Sequence, residues 1–391
     1  MPGKNRITQA VVLVERNRAP ILDEVELEGP GPGEVLVELR ASGICHTDLA
    51  AVRDARTYPV VLGHEGAGIV AEIGTGVTHV APGDHVVINW QPQCGKCRRC
   101  QSGRSDLCDQ ITGTASPRVF WRGKPIAVLL HAGTFCSTVI VPAAGAVPIR
   151  RDLSFDQAAL LGCAVATGVG SALLTAKIQP GDTVAVIGVG GVGLNIVQGA
   201  RLAGASRIIA VDISDERLEL AREFGATEGF NANLPDLVEC VRHITHGGGL
   251  DFVFEVVGSP ARMRTAVDML GRGGELVLVG AAARDADFSF APRRFMSNQQ
   301  VVRGSIYGNI RPAIHLPLFA DWCIDGRLSV KGLVSQSVSL EDLPGLFAMP
   351  SRMQGIRTII EWPASGESYT VATDPQIEIH KQDLNSSWQS D

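Results

Sequence analysis

Residues 182–214, DTVAVIGVGGVGLNIVQGARLAGASRIIAVDIS, leave a chain little freedom. A short apolar run, VAVIG, meets a glycine-rich turn, then a stretch with helical spacing, then a second apolar run, RIIAVD. Continuous apolar runs of this length read as strands buried on both faces. Two such strands joined through a helix lie parallel, because the crossover carries the chain back to the starting edge. Further strand-like runs in DFVFEVVG (251–258) and GELVLVG (274–280), separated by helical patterns, extend this into a doubly wound parallel sheet of an α/β domain.

The turn itself reads G-V-G-G-V-G, with Gly188, Gly190 and Gly193 at the glycine positions of a dinucleotide motif and Gly191 and Val192 between them. The first glycine permits the tight turn, the second lets a pyrophosphate approach the backbone, and the third lets helix pack on strand. The helix N-terminus offers its unpaired N–H groups and dipole to the phosphates. Asp212 ends the second strand, where it would accept hydrogen bonds from ribose hydroxyls and repel a 2′-phosphate. Ile213 follows it rather than arginine, so NAD is expected over NADP.

At 391 residues the chain exceeds one ordinary core, and two domains are expected. The first third carries short β-branched stretches between glycine and proline punctuation, EVLVELRASG (34–43), GAGIVAEIG (66–74) and GDHVVINW (83–90), and reads as a β-rich domain. The segment 156–179 has helical spacing, and from about residue 308 helices and strands follow that could return to the first domain. The polar stretch 363–391 is expected to be a disordered extension. A formal charge of -6 argues against a nucleic-acid surface. With no apolar run of eighteen residues and no secretory pattern at the start, a cytoplasmic protein without a membrane partner is expected.

That compartment decides how to read QCGKCRRCQSGRSDLC (93–108). In reducing surroundings Cys94, Cys97, Cys100 and Cys108 are most simply four thiolate ligands of a structural zinc. Lys96, Arg98, Arg99 and Arg104 would offset its excess negative charge. An iron–sulfur cluster also uses cysteine triplets, but its bacterial spacing continues with three residues and a cysteine–proline pair. Here seven residues intervene and Asp109 follows. Cys136, Cys240 and Cys323 read as ordinary buried thiols.

Three more stretches hold candidate ligands: GICHTDL (43–49) with Cys45, GHEGAG (63–68) with His64, and GCAVATG (162–168) with Cys163. Taken singly each has a bland reading, and spacing alone does not join them. In this order, with the cysteine loop and the nucleotide turn, they resemble the zinc-dependent medium-chain alcohol dehydrogenases. The resemblance runs from about residue 8 to Trp362 and includes GHEGAGIVAEIGTGVTHVAPGDHV, PQCGKCRRC, IGVGGVGLNIVQGARLAGASRIIAVDI and GIRTII.

The resemblance implies a GroES-like catalytic domain at 1–167, a Rossmann NAD domain at 168–307, a return to the catalytic domain at 308–362, and an active site in the cleft. It implies two zinc ions per chain, with Cys45, His64 and Cys163 on the catalytic one and an open fourth position. Glu65 would stand beside the metal, Asp48 would orient His64, and Thr47 would accept the substrate hydroxyl proton. His46 and Arg357 would meet the pyrophosphate, and Thr167 the nicotinamide region. Trp90, Tyr58 and Phe135 would line the substrate pocket with Thr47, favouring an apolar or aromatic alcohol. The implied reaction moves a hydride between a primary or secondary alcohol and NAD, giving an aldehyde or ketone, and the reverse. A homo-oligomer, dimer or tetramer, is also implied. Ala50 departs from the pattern, since many relatives have a relay histidine there. Two alternatives stand beside this reading. One is a thiol-dependent formaldehyde dehydrogenase acting on a glutathione or mycothiol adduct, with Arg118 as the cation for its carboxylates. The other is a non-catalytic zinc- and NAD-binding scaffold.

Overall fold

Three sheets carry the chain in the computed structural model, which describes residues 6–109, 118–353 and 355–362. The polar stretch 363–391 lies outside the described residues. The chain is an α/β protein of two units. One comprises the described residues of 1–92, 113–159 and 334–391, the other those of 93–112 and 160–333.

The second unit contains the doubly wound sheet. Six parallel strands lie in the order Glu228–Asn231, Arg207–Asp212, Thr183–Ile187, Leu250–Glu255, Leu270–Leu278 and Val301–Gly304. Strand order reverses between Thr183–Ile187 and Leu250–Glu255, and the carboxyl ends of such a pair bound the crevice where open α/β sheets bind ligands. Ile187, Ile209, Val211, Val253 and Leu276 build the core beneath it. The run DFVFEVVG stops being strand at Glu255, because that side chain captures the N–H groups of the residues after it.

Two stretches group away from their sequence neighbours. The cysteine loop joins the second unit, where Gln93 Nε2 donates to the Ile310 carbonyl at 3.4 Å. Residues 308–333 join it too, through the helix Pro312–Ile324, which packs on the long helix Phe155–Ala176. That long helix widens into π-helical turns at Leu161–Val165 and Ser171–Ala176. By length and composition it could cross a membrane, yet 89% of its apolar window is buried inside the protein. It is a core helix.

The first unit holds two largely antiparallel sheets. The one that matters for the site runs Ala146–Pro148, His85–Ile88, Glu65–Ile73, Glu34–Gly43, Arg357–Glu361 and Val334–Val338, with Thr138–Pro142 also paired to Glu34–Gly43. Val11, Leu62, Phe135, Phe347 and Ile360 fill an apolar cluster of this unit.

Candidate active site

Three adjacent strands of that sheet deliver the site in the first unit. Gly43 pairs with both Glu65 and Ile359, so the exit of one strand and the entries of its two neighbours fall at one edge. Cys45 follows the first, His64 precedes the second, and Arg357 begins the third. Cys45 then caps the helix His46–Asp54, and the Asp48 side chain reaches back to accept from the Cys45 N–H at 2.9 Å. The other Asp48 oxygen accepts from His64 Nδ1 at 3.0 Å and from the Gly63 N–H at 3.2 Å. Asp48, His64 and Glu65 are all buried to 1% exposure or less.

With Nδ1 engaged by Asp48, the second ring nitrogen is the one left to serve as a ligand. Cys45, His64 and Glu65 present ligand atoms within 4.8 Å of one another. Burial pulls His64 down, but the charge of Asp48, its hydrogen bond and the interactions with Cys45 together outweigh this and raise it well above the usual range. Glu65 is pushed up to about 7 by burial, against the pull of Arg357, whose guanidinium lies 3.7 Å away. Neither Glu65 oxygen has a hydrogen-bond partner. A thiol, an oriented imidazole and an unsatisfied carboxylate form a donor set suited to zinc. Cys163 is also buried, in the first π-helical turn of the long helix.

Thr47 Oγ1 lies 3.8 Å from Cys45 Sγ, and His46 is exposed at the start of the helix. Trp90 is buried, with its ring edge-on to His64 at 6.3 Å between centroids. The other two proposed pocket residues lie in apolar packing. Phe135 is fully buried against Phe347, and Tyr58 packs on the same cluster with its hydroxyl donating to the Ala51 carbonyl at 3.3 Å. Arg357, expected at a pyrophosphate, is 5% exposed and directed at Glu65 and Cys45. Arg118 corrects an expectation. Its guanidinium is held by Glu28 at 2.8 Å and Glu34 at 2.9 Å, so its charge is already engaged.

In the second unit the four loop cysteines bring their sulfurs within 4.8 Å of one another. Backbone N–H groups of Cys94, Cys97 and Cys100 point at neighbouring sulfurs, at 3.3, 3.3 and 3.5 Å. The thiols do not ionise alike. Cys97 is lowered to about 6 by the N–H groups of Cys100 and Asp109, while Cys100 is pushed up to about 12 by burial and by Cys97 and Cys108. Four sulfurs this close become thiolates together only around a cation, and the set fits a closed zinc site. Of the leftover thiols only Cys136 is buried; Cys240 and Cys323 are half-buried, contrary to expectation.

The glycine turn takes the shape the motif requires. Gly188 sits at φ +91°, and a Cβ on Gly193 would meet the Gly188 carbonyl oxygen at 2.0 Å. At Gly190 a Cβ would meet nothing within 4 Å, so open space lies over the backbone at the start of the helix Gly191–Ala203. Asp212 braces this turn: its oxygens accept from the Val189 N–H at 2.9 Å and the Ser214 N–H at 3.1 Å. Thr167 stands in the helical segment Ala166–Gly170. The residues present fit a dinucleotide. Sequence reasoning missed Glu255, whose only signal is an acid closing an apolar run.

Comparison with known proteins agrees with this geometry. Residues 31–151 match the family model of the alcohol dehydrogenase GroES-like domain, and residues 191–320 match that of the zinc-binding dehydrogenases. The S-(hydroxymethyl)glutathione dehydrogenase of Paracoccus denitrificans is 35% identical over 372 residues, covering 90% of this chain and 99% of that protein. The crystal structure of an alcohol dehydrogenase zinc-binding domain protein from Burkholderia ambifaria matches with a TM-score of 0.86 at 31% identity, covering 92% of this chain and 100% of the other. That of the benzyl alcohol dehydrogenase from Acinetobacter calcoaceticus matches with a TM-score of 0.85 at 29% identity, covering 91% and 99%.

Proposed function

The chain belongs to the zinc-dependent medium-chain alcohol dehydrogenases, and on that premise we propose an apolar or aromatic primary or secondary alcohol as its substrate. It is an NAD-dependent oxidoreductase of that family, with donor residues for two zinc ions. In the proposed site Cys45, His64 and Cys163 hold the catalytic zinc, and Cys94, Cys97, Cys100 and Cys108 hold the structural one. When bound, zinc supplies the Lewis acidity that lets an alcohol hydroxyl lose its proton near neutral pH, and NAD supplies the hydride acceptor.

The chain's own residues do the rest. Asp48 orients His64 and strengthens it as a donor. The Thr47 oxygen takes the hydroxyl proton while its own hydrogen moves on to solvent, since Ala50 offers no base. Glu65 is the carboxylate next to the ligands, balanced by Arg357. His46 and Thr167 face the cofactor in this reading, with Gly188, Gly190, Gly191, Val192, Gly193 and Asp212 cradling it, while Arg357 is taken up by Glu65 and Cys45. The observation that carries the substrate class is Trp90, an apolar ring set edge-on to the ligand His64 at 6.3 Å. Tyr58 and Phe135 pack in the apolar cluster around Phe347 and add nothing to this choice. A cytoplasmic homo-oligomer, dimer or tetramer, completes the proposal.

A second reading is favoured by the similarity to an S-(hydroxymethyl)glutathione dehydrogenase: oxidation of a thiol adduct of formaldehyde. Against it, Arg118 is already held by two carboxylates. NADH formation is to be followed with aliphatic, allylic and benzylic alcohols, and with formaldehyde plus glutathione or mycothiol. Preferred turnover of benzylic and allylic alcohols is expected; turnover of the thiol adduct alone would overturn the proposal in favour of the second reading.

A further inference from the structure

Glu255 closes the strand Leu250–Glu255 and is fully buried. Three successive backbone N–H groups converge on its carboxylate. Val257 and Ser259 donate to Oε1 at 3.1 and 3.2 Å, and Gly258 donates to both oxygens at 3.0 Å. Burial raises its pKa, and these N–H groups offset part of that rise. Strand termination alone does not call for a buried acid, which is costly to desolvate. What the acid does is fold residues 256–259 into a tight turn.

That turn interlocks with its neighbours. A Cβ on Gly188 would lie 2.8 Å from Val257 Cγ2, one on Gly280 would lie 2.3 Å from the Gly258 nitrogen, and one on Gly258 would lie 2.6 Å from the Ala281 oxygen. Three turns at the carboxyl ends of three neighbouring strands thus pack almost backbone on backbone, beside the point where strand order reverses. Val257 stands there 56% exposed, an apolar side chain held out beside the glycine turn.

We propose that Glu255 is a positioning residue for the dinucleotide. Its carboxylate fixes the turn 256–259, so the wall of the crevice next to Gly188 is formed before the cofactor arrives. Glu255 acts through that turn, and ordering the wall in advance removes a cost that binding would otherwise meet. The proposal rests on the reading that NAD binds at the glycine turn, and is independent of which alcohol is oxidised.

The test is titration of NADH by its fluorescence, without alcohol, on the zinc-loaded wild type and on Glu255→Ala and Glu255→Gln, with thermal melts and steady-state kinetics alongside. Glu255→Ala is expected to weaken NADH binding about tenfold and raise the KM for NAD in step, with kcat within about twofold of wild type. In Glu255→Gln the amide oxygen can take the Oε1 position with its three N–H partners, so binding should stay within about threefold. An alanine variant that melts earlier but binds NADH normally overturns the proposal, as does a glutamine variant as weak as alanine. If the alanine variant does not fold, Glu255→Asp keeps the charge but withdraws it by one methylene. Aspartate is expected to bind NADH about threefold more weakly, and wild-type affinity there overturns the proposal too. A wild type that binds no NADH would instead refute the cofactor reading beneath it.

Discussion

Asp48→Asn tests the site where geometry gives the clearest arithmetic. Asp48 is completely buried and serves three donors: His64 Nδ1 and the Gly63 N–H on Oδ1, and the Cys45 N–H on Oδ2. Asparagine has one acceptor oxygen and one NH2 group. With its oxygen at Oδ1, the NH2 faces the Cys45 N–H; flipped, it faces His64 and Gly63. Either way a buried donor loses its acceptor, which costs about 1–3 kcal/mol. His64 also loses the charged partner that fixes its ring. Losing such a partner lowers metal affinity by roughly 10–100-fold, and at about 1.4 kcal/mol per tenfold this matches the orphaned donor. The assay is competition for zinc against a chromophoric chelator, with zinc counted per chain. The four-cysteine loop serves as internal reference, so the variant is expected to keep one zinc firmly and release the other 10–100-fold more readily, with kcat/KM falling in parallel. If both zinc ions resisted the chelator as in wild type and turnover were unchanged, Asp48 would have no part in orienting His64.

Other substitutions separate cradle from scaffold. Gly190→Ala places its Cβ in open space and should fold normally yet bind NADH about tenfold more weakly, whereas Gly193→Ala meets the Gly188 carbonyl oxygen and should lower the melting temperature as well. A Gly190→Ala variant with wild-type NADH affinity would count against a pyrophosphate over that turn. Gln198, fully buried, donates to the Ser329 carbonyl at 2.9 Å and accepts from its N–H at 2.7 Å. Gln198→Ala removes both bonds to the exposed Ser329, where water can replace them in part, and should cost about 1–3 kcal/mol in urea unfolding; a loss below about 0.5 kcal/mol would refute that account. Burial pushes the Cys136 thiol up to about 11, leaving about one thiolate in a thousand at pH 8. Peptide mapping after iodoacetamide treatment of the folded protein should find Cys136 unmodified, and prompt labelling there would contradict the packing around it.

What was legible in the sequence is what a few neighbouring residues decide. The strand–turn–helix–strand unit closes within 182–214, each glycine answers a local steric demand, and the parallel sheet follows from apolar runs alternating with helical spacing. The cysteine loop is local in the same way, because sixteen residues contain all four ligands. Arg118 was misread for the opposite reason. Nothing near it in sequence shows that Glu34 and Glu28, 84 and 90 positions earlier, will take its charge. Phe135 looks like a pocket residue until the surroundings of its ring are known, and Glu255 looks like a strand end until the turn after it is seen. The ligands Cys45 and His64 are intermediate, since their residue types are visible but their meeting depends on register. Gly43 opposite Glu65 is what sets the two ligands at one edge. A slip of one residue there would send alternate side chains to the opposite face. Asp48 resists that slip, because it binds the Cys45 N–H on one side and Gly63 and His64 on the other. The residue that orients the imidazole therefore also ties together the two segments whose register creates the site.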